Sequence, residues 1–418
     1  MSSLSRAALR ADLAAHAFGA PAMASLTPRR LGAEAEFIPV DTATWRRCTL
    51  EGEGPGALLP FVRRYGARQS WSETRTAKGT PCFTLPGGGT ITFEPGGQVE
   101  YSTPPCRSAS ALIALLRSVV LPFRSAASSE GITLLAAGID PTGGAEAAPL
   151  LLRTKRYERM AAYLAHRGPA GARMMRQTAS FQISLDLDDD PWARWCVLNA
   201  AAPYFTAIFA NSPVYDGAET GWVSNRARAW RELDVARTGL PWDGRDPVGA
   251  YLAFALEAPA IMLPTVNGEH RPFGDWLSRA EPTLDEWHDH LSTLFPEIRP
   301  RGHFEVRSAD AVAPEWYAAP LALAAGLAYE PRALHAAADL LGTPDLGLLE
   351  LAGRDGLRNG ALARVATDLT EIALEGCRAL GPAFFNPADL EQARAFFEHY
   401  TRRGRCPADE RQRAEVAA

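Results

Sequence analysis

The chain holds only six cysteines in 418 residues, and no two of them form a CxxC pair. A disulfide scaffold needs a denser and more regular framework, so a reduced, cytoplasmic protein is the expectation. Cys196 and Cys377 sit in apolar helical patterns and read as buried thiols. No apolar run approaches the ~18 residues of a membrane span. The opening stretch MSSLSRAALRADLAAHAFGA carries an acidic residue and no continuous apolar core, which argues against a secretory signal and reads as a short amphipathic helix. Basic residues are outnumbered, 43 Lys and Arg against 48 Asp and Glu, and scattered, which removes support for a nucleic-acid partner. No HExxH spacing supports a zinc protease, and no GxSxG supports a serine nucleophile. The PGGG at 86–89 lacks the Lys and Ser/Thr of a phosphate loop and precedes a strand, so it reads as a hairpin turn.

No linker, repeat or charge block divides the chain. One catalytic domain over 26–408 is expected, helical from about residue 320, with an N-terminal amphipathic segment 1–25 and a polar tail 409–418. Several helices announce themselves. CVLNAAAPYFTAIFA (196–210) is apolar nearly all round and reads as internal, kinked or started at Pro203. Thr283 and Glu286 form a capping box ahead of Leu284, Trp287, Leu291 and Leu294. Asn386 and Pro387 supply an N-cap and first residue for a helix that Gly404 closes.

The most informative stretch is FEPGGQVEYSTPP, residues 93–105. Two alternating segments flank Pro95-Gly96-Gly97, so it reads as strand, tight turn, strand. Gln98, Glu100 and Ser102 then share one strand face and Val99 and Tyr101 the other, with Thr92 and Glu94 able to join the polar side. Glu34 and Glu36 repeat the alternation in LGAEAEFIPV, as do Glu305 and Arg307 in HFEVRS. Each set could be an outer face in water. Three sets embedded in apolar or Gly/Pro-rich sequence point instead to buried acids that a cation must offset. Carboxylate oxygens select Mg²⁺ or Mn²⁺, and such ions arrive with phosphates, which suggests ATP.

The segments GAEAEF, FEPGGQVEYSTPP, RYERM, MMRQTASFQISLD, FANSPVYDG, SNRARAW, DHLSTLFPEIRPRGHFEVRSAD and RGRCPAD occur in one order along most of the chain. In these the sequence resembles the glutamate–cysteine ligase family, in its second group of plant-type and bacterial enzymes, some of which serve glutathione or ergothioneine biosynthesis. The resemblance implies an α+β, glutamine-synthetase-like fold: an antiparallel sheet curved into an open half-barrel with helices packed outside. It implies ATP-dependent joining of the γ-carboxylate of L-glutamate to the amine of L-cysteine through a γ-glutamyl phosphate. Glu34, Glu36, Glu100 and Glu305, with Glu94 added, are its implied metal ligands. Arg307 would contact the transferring phosphoryl group, with Glu100 as its catalytic companion; an ion pair with Glu305 or Glu36 is the plainer alternative. Arg226 and Arg156 would bind substrate carboxylates unless they are surface arginines. Thr178, Ser180 and Gln182 would touch metal, phosphate or substrate unless that strand face is solvated. Met175, with Met174, would pack on the amine substrate or fill the core. A different amine acceptor, or a non-catalytic ligand-binding relative, are the competing readings. The oligomeric state is open.

Overall fold

The computed structural model describes residues 4–19, 29–52, 56–77, 79–187, 191–242, 244–279 and 282–410. Of the expected terminal segments, residues 1–3, 20–25 and 411–418 lie outside the described residues.

Among the described residues eleven strands form: β1 (Leu31–Asp41), β2 (Ser72–Arg75), β3 (Pro81–Thr84), β4 (Thr90–Phe93), β5 (Val99–Ser102), β6 (Ile132–Leu135), β7 (Phe181–Asp186), β8 (Val214–Tyr215), β9 (Ala218–Glu219), β10 (Ile298–Pro300) and β11 (His303–Val306). Nine of them make one sheet in the order β10-β11-β7-β1-β5-β4-β3-β2, with β6 paired to the far end of β1. Every pairing is antiparallel. The path ends at β10 and β2 and does not close, so the sheet is open and the fold mixed α and β, as the resemblance implied.

Register explains why the polar residues gather. Glu36 pairs with Glu100, which pairs with Thr92. Glu34 pairs with Ser102 on one side and Gln182 on the other. Glu305 pairs with Ser184 and Arg299. Directly paired residues share a face, so the acids of three strands lie on one side of the sheet. The opposite face carries Phe37, Val99, Tyr101, Phe181, Ile183 and Phe304, all buried. Burial of each such side chain stabilises by about 1.5–3 kcal/mol. The tight turn before β5 needs its glycines: Gly97 has φ +81, and a Cβ on Gly96 would collide with the Arg176 carbonyl.

The helices that cover the apolar face explain several differences from the sequence reading. Pro191–Ile208 continues through Pro203, and Cys196 is only partly buried. Ala318–Tyr329 is buried at every position, because it packs outside the sheet beneath other helices. Ala109–Ser129 is long and apolar enough, by length and composition, to cross a membrane, against the expectation that no apolar run approaches such a span. It is sided rather than uniform: Leu112, Ile113, Leu116, Val120 and Phe123 are buried, whereas Leu121 is 50% exposed.

Helix Leu284–Leu291 has the expected capping box, but Leu284 in its first turn is exposed while Trp287 and Leu294 are fully buried. His290 locks this helix. Its Nε2 lies 2.7 Å from the Ala255 carbonyl, its ring stacks on Phe273, and Nδ1 is buried without a partner. A second proton would have no acceptor there. Burial, with Arg237 nearby, pulls its pKa down to about 3. The unfolded chain therefore binds the proton first, and stability falls as pH drops below about 6.5, by up to ~1.4 kcal/mol per pH unit. His290→Gln should flatten the loss of melting temperature between pH 7.5 and about 5; an unchanged slope would remove His290 as its source.

Candidate active site

The polar sheet face floors a cleft of about 400 Å³, within the range of small-molecule sites. Glu34, Glu36, Glu94 and Glu100 line it, so acids from β1, β5 and the β4–β5 turn converge. Among the described residues, no three His, Cys, Asp or Glu side chains form a ready-made metal cage.

Glu36 is tightly held: its carboxylate accepts from the Ser180 backbone N–H and from Gln182 Nε2, each at 2.8 Å. Glu100 Oε1 accepts from Thr92 Oγ1 at 3.0 Å and from Ser102 Oγ at 2.8 Å. Burial, then repulsion by Glu94 and Glu36, pushes Glu100 up to about 8. Burial and the carboxylates of Glu100 and Glu305 likewise push Glu34 well above the ordinary carboxylate range. Acids that oppose one another's ionisation are the groups a divalent cation relieves, and oxygen-only donors suit a hard ion. The residues fit such an ion.

Glu305, expected among the metal ligands, is already engaged by arginines. It is 1% exposed and does not reach the cleft wall. Arg299 Nε and Arg307 Nη1 lie 2.8 and 2.7 Å from its Oε2, and Arg301 Nη1 lies 3.5 Å from Oε1. Burial opposes its charge, yet Arg299 and Arg307, helped by Arg301, hold its pKa well below the usual range. With arginine already opposite both oxygens, Glu305 serves as the anchor of a guanidinium cluster. Arg299 and Arg301 themselves line the cleft and were missed, although they alternate across the β10–β11 hairpin just as Glu305 and Arg307 do.

Arg307 meets both of its sequence alternatives: it pairs with Glu305 and also lines the cleft. Gln182 joins it to the acids, accepting from Arg307 Nη1 at 2.5 Å while donating to Glu36. The strand face carrying Ser180 and Gln182 is thus not solvated; they are 3% and 5% exposed. Gln182 spends its amide on holding Glu36 and Arg307, and Ser180 contributes its backbone N–H.

Arg226 is buried rather than on the surface. It stands in the first turn of helix Asn225–Leu233, with its guanidinium 4.7 Å over the Trp230 ring and Nη2 donating to the Arg307 carbonyl at 2.7 Å. Arg156 reaches across to Ser292, donating to its carbonyl at 2.7 Å. Met174, Met175 and Thr178 line the same wall; the methionines belong equally to the core, and Thr178 Oγ1 donates to the Met174 carbonyl.

Asp310 organises this end from beneath. Oδ1 accepts from Ser224 Oγ at 2.9 Å, and Ser224 caps the helix that carries Arg226. Oδ2 accepts from the Asn211 N–H and from Ser212 Oγ, at 2.8 and 2.7 Å. A Cβ on Gly138 would strike the Asp310 carboxyl, so only glycine admits this approach. Asp310→Asn replaces an acceptor with a donor facing donors and should cost about 2–4 kcal/mol. If Arg226 binds glutamate, as the resemblance implies, loosening it should raise the KM for glutamate more than that for ATP. Equal shifts in both would leave Asp310 a purely structural residue.

Three comparisons bear on the family and the fold. The profile of glutamate-cysteine ligase family 2 matches residues 30–416. The chain is 34% identical over 361 residues to glutamate–cysteine ligase EgtA of Mycolicibacterium smegmatis, covering 82% of each chain. It is 32% identical over 320 residues to the chloroplastic glutamate–cysteine ligase of Medicago truncatula, covering 70% of this chain and 62% of that one. In fold it is similar to a solved glutamate–cysteine ligase of Francisella tularensis in complex with AMP. The TM-score is 0.54 at 12% identity, covering 92% of this chain and 84% of that one.

Proposed function

Because the chain belongs to glutamate-cysteine ligase family 2, we infer that it is an ATP-dependent ligase joining the γ-carboxylate of L-glutamate to the amine of L-cysteine. The reaction passes through a γ-glutamyl phosphate and releases ADP and phosphate. A carboxylate is a poor electrophile, and phosphorylation makes its oxygen a leaving group. Triphosphate and carboxylate repel each other, so the cleft must supply positive charge where they meet. We place the enzyme in the cytoplasm, where ATP and reduced cysteine are available together.

The observation that carries the reading is one cleft combining a row of half-buried to buried carboxylates with a fixed guanidinium. Glu34, Glu36, Glu94 and Glu100 would hold Mg²⁺ or Mn²⁺, which commonly takes only one or two carboxylates and completes its shell with phosphate and water. When bound, the ion neutralises phosphate charge. Arg307 presents its planar fork to the transferring phosphoryl oxygens, and Gln182 and Glu305 hold it there. Arg226 and Arg156 receive the glutamate carboxylates, with Thr178 and Met175 lining the neighbouring wall.

ADP release measured with glutamate and a panel of amines tests this. Turnover that depends on cysteine supports it. Preference for another amine would keep the chemistry and change the substrate, and absence of turnover with every amine would sink the enzymatic reading.

A further inference from the structure

One end of the cleft is built by residues outside the family match, which begins at residue 30. Helix Arg6–Asp12 passes into a π-helical turn, Leu13–Ala17, whose wider winding is rare and often found at functional sites. Leu9 and Leu13 are fully buried, and the Gly302 N–H donates to the Ala17 carbonyl at 2.9 Å, so the segment is docked on the sheet beside Arg301. Asp12, Leu13, His16 and Ala17 line the cleft, together with His288 from helix Leu284–Leu291.

Here one carboxylate serves two imidazoles. His16 Nδ1 lies 2.9 Å from Asp12 Oδ1, and His288 Nε2 lies 3.2 Å from each oxygen. Trp287 Nε1 donates to Oδ2 at 3.0 Å, and the Asp12 side chain is 8% exposed. The two rings stand 6.3 Å apart, edge to face. His288 and His290 form an HxH pair in sequence, but the helix turns them apart: His288 faces the cleft and His290 the core. A carboxylate bonded to Nδ1 fixes the tautomer of His16 and leaves Nε2, the outer nitrogen, to take a proton.

We propose that Asp12, His16 and His288 form the acceptor-amine end of the cleft, where Asp12 orients His16 and the exposed His16 removes the proton of the acceptor's ammonium group. This rests on the ligase reading above. ATP carries no ammonium group, and the amine of glutamate need not lose a proton, whereas the acceptor must arrive as an ammonium and react as a free amine. The ammonium N–H breaks and its proton passes to His16 Nε2. The freed lone pair attacks the γ-carbonyl carbon, and the C–O bond to phosphate breaks. A second N–H proton leaves with the phosphate as HPO₄²⁻, and His16 returns the first to solvent. His288 and Trp287 position Asp12.

The test separates the two half-reactions on the full chain. Scrambling of ¹⁸O between the β,γ-bridge and the β-nonbridge positions of ATP, with glutamate and no amine, reports acyl phosphate formation. In His16→Ala it should stay within about twofold of wild type, while kcat/KM for cysteine falls by roughly 10²-fold, as for loss of a general base. Added imidazole should restore part of that loss. Asp12→Asn, which weakens the hold on His16 Nδ1, should lower kcat/KM for cysteine and leave the KM values for ATP and glutamate nearly unchanged. The proposal is overturned if scrambling and amine transfer fall together, if imidazole rescues nothing, or if the KM for ATP moves instead. Absence of scrambling in the wild type would instead sink the acyl-phosphate reading beneath it.

Discussion

Arg307→Lys is expected to lower kcat by roughly 10²- to 10³-fold, the effect of losing one fixed cationic contact on a transferring phosphoryl group. Arg307 Nη1 is held between Gln182 Oε1 at 2.5 Å and Glu305 Oε2 at 2.7 Å. Among the described residues its Nε is buried and has no hydrogen-bond partner. Lysine keeps the charge but lacks the planar fork, and it cannot span both anchors and a phosphate together. Because the contact strengthens as charge develops, the KM for ATP should move far less than kcat. Melting temperature and kcat measured on one preparation decide between roles. A variant that melts lower yet turns over at the wild-type rate would reduce Arg307 to an ion-pair partner.

The second large effect is on stability. Glu305→Gln removes the only acid directly bonded to Arg299 and Arg307 among the described residues, and also a partner of Arg301. Breaking a buried charge pair from one side costs about 3–5 kcal/mol, because the stranded cations stay desolvated. Denaturant unfolding should show that loss at neutral pH. The Mg²⁺ concentration for half-maximal rate should rise in Glu100→Gln and stay near the wild-type value in Glu305→Gln. A raised Mg²⁺ requirement in Glu305→Gln with unchanged stability would return Glu305 to the metal set. Activity should fall in both variants, so the metal dependence and the unfolding curve carry the distinction.

Strand alternation alone was enough to set Glu34 with Glu36, Glu100 with Gln98 and Ser102, and Glu305 with Arg307 on common faces, since side chains in a strand alternate without exception of context. The Pro95-Gly96-Gly97 turn, the Thr283–Glu286 capping box and the Asn386-Pro387 helix start were legible for the same reason: each depends on residues within a few positions. Arg299 carried the same alternation signal and went unread. Asp12 and His16 had no such signal. They stand in an amphipathic helix whose polar side would look the same in water, and only docking against Trp287 and His288 gives it a role.

The sequence by itself determined the strands, their polar faces, the caps and turns, and the oxygen-rich character of the site, because these follow from backbone geometry and side-chain chemistry over short spans. Only the tertiary structure decided how those faces divide their work. Antiparallel register put Glu36 opposite Glu100 and Glu305 opposite Arg299, so one row became a cluster of mutually repelling acids and the next an arginine anchor. Whether a carboxylate meets another carboxylate or a guanidinium depends on strand register, across one hairpin for Glu305 and Arg299 and between distant strands for Glu36 and Glu100. In a buried site that encounter decides whether the acid stays free to bind a cation or is already neutralised.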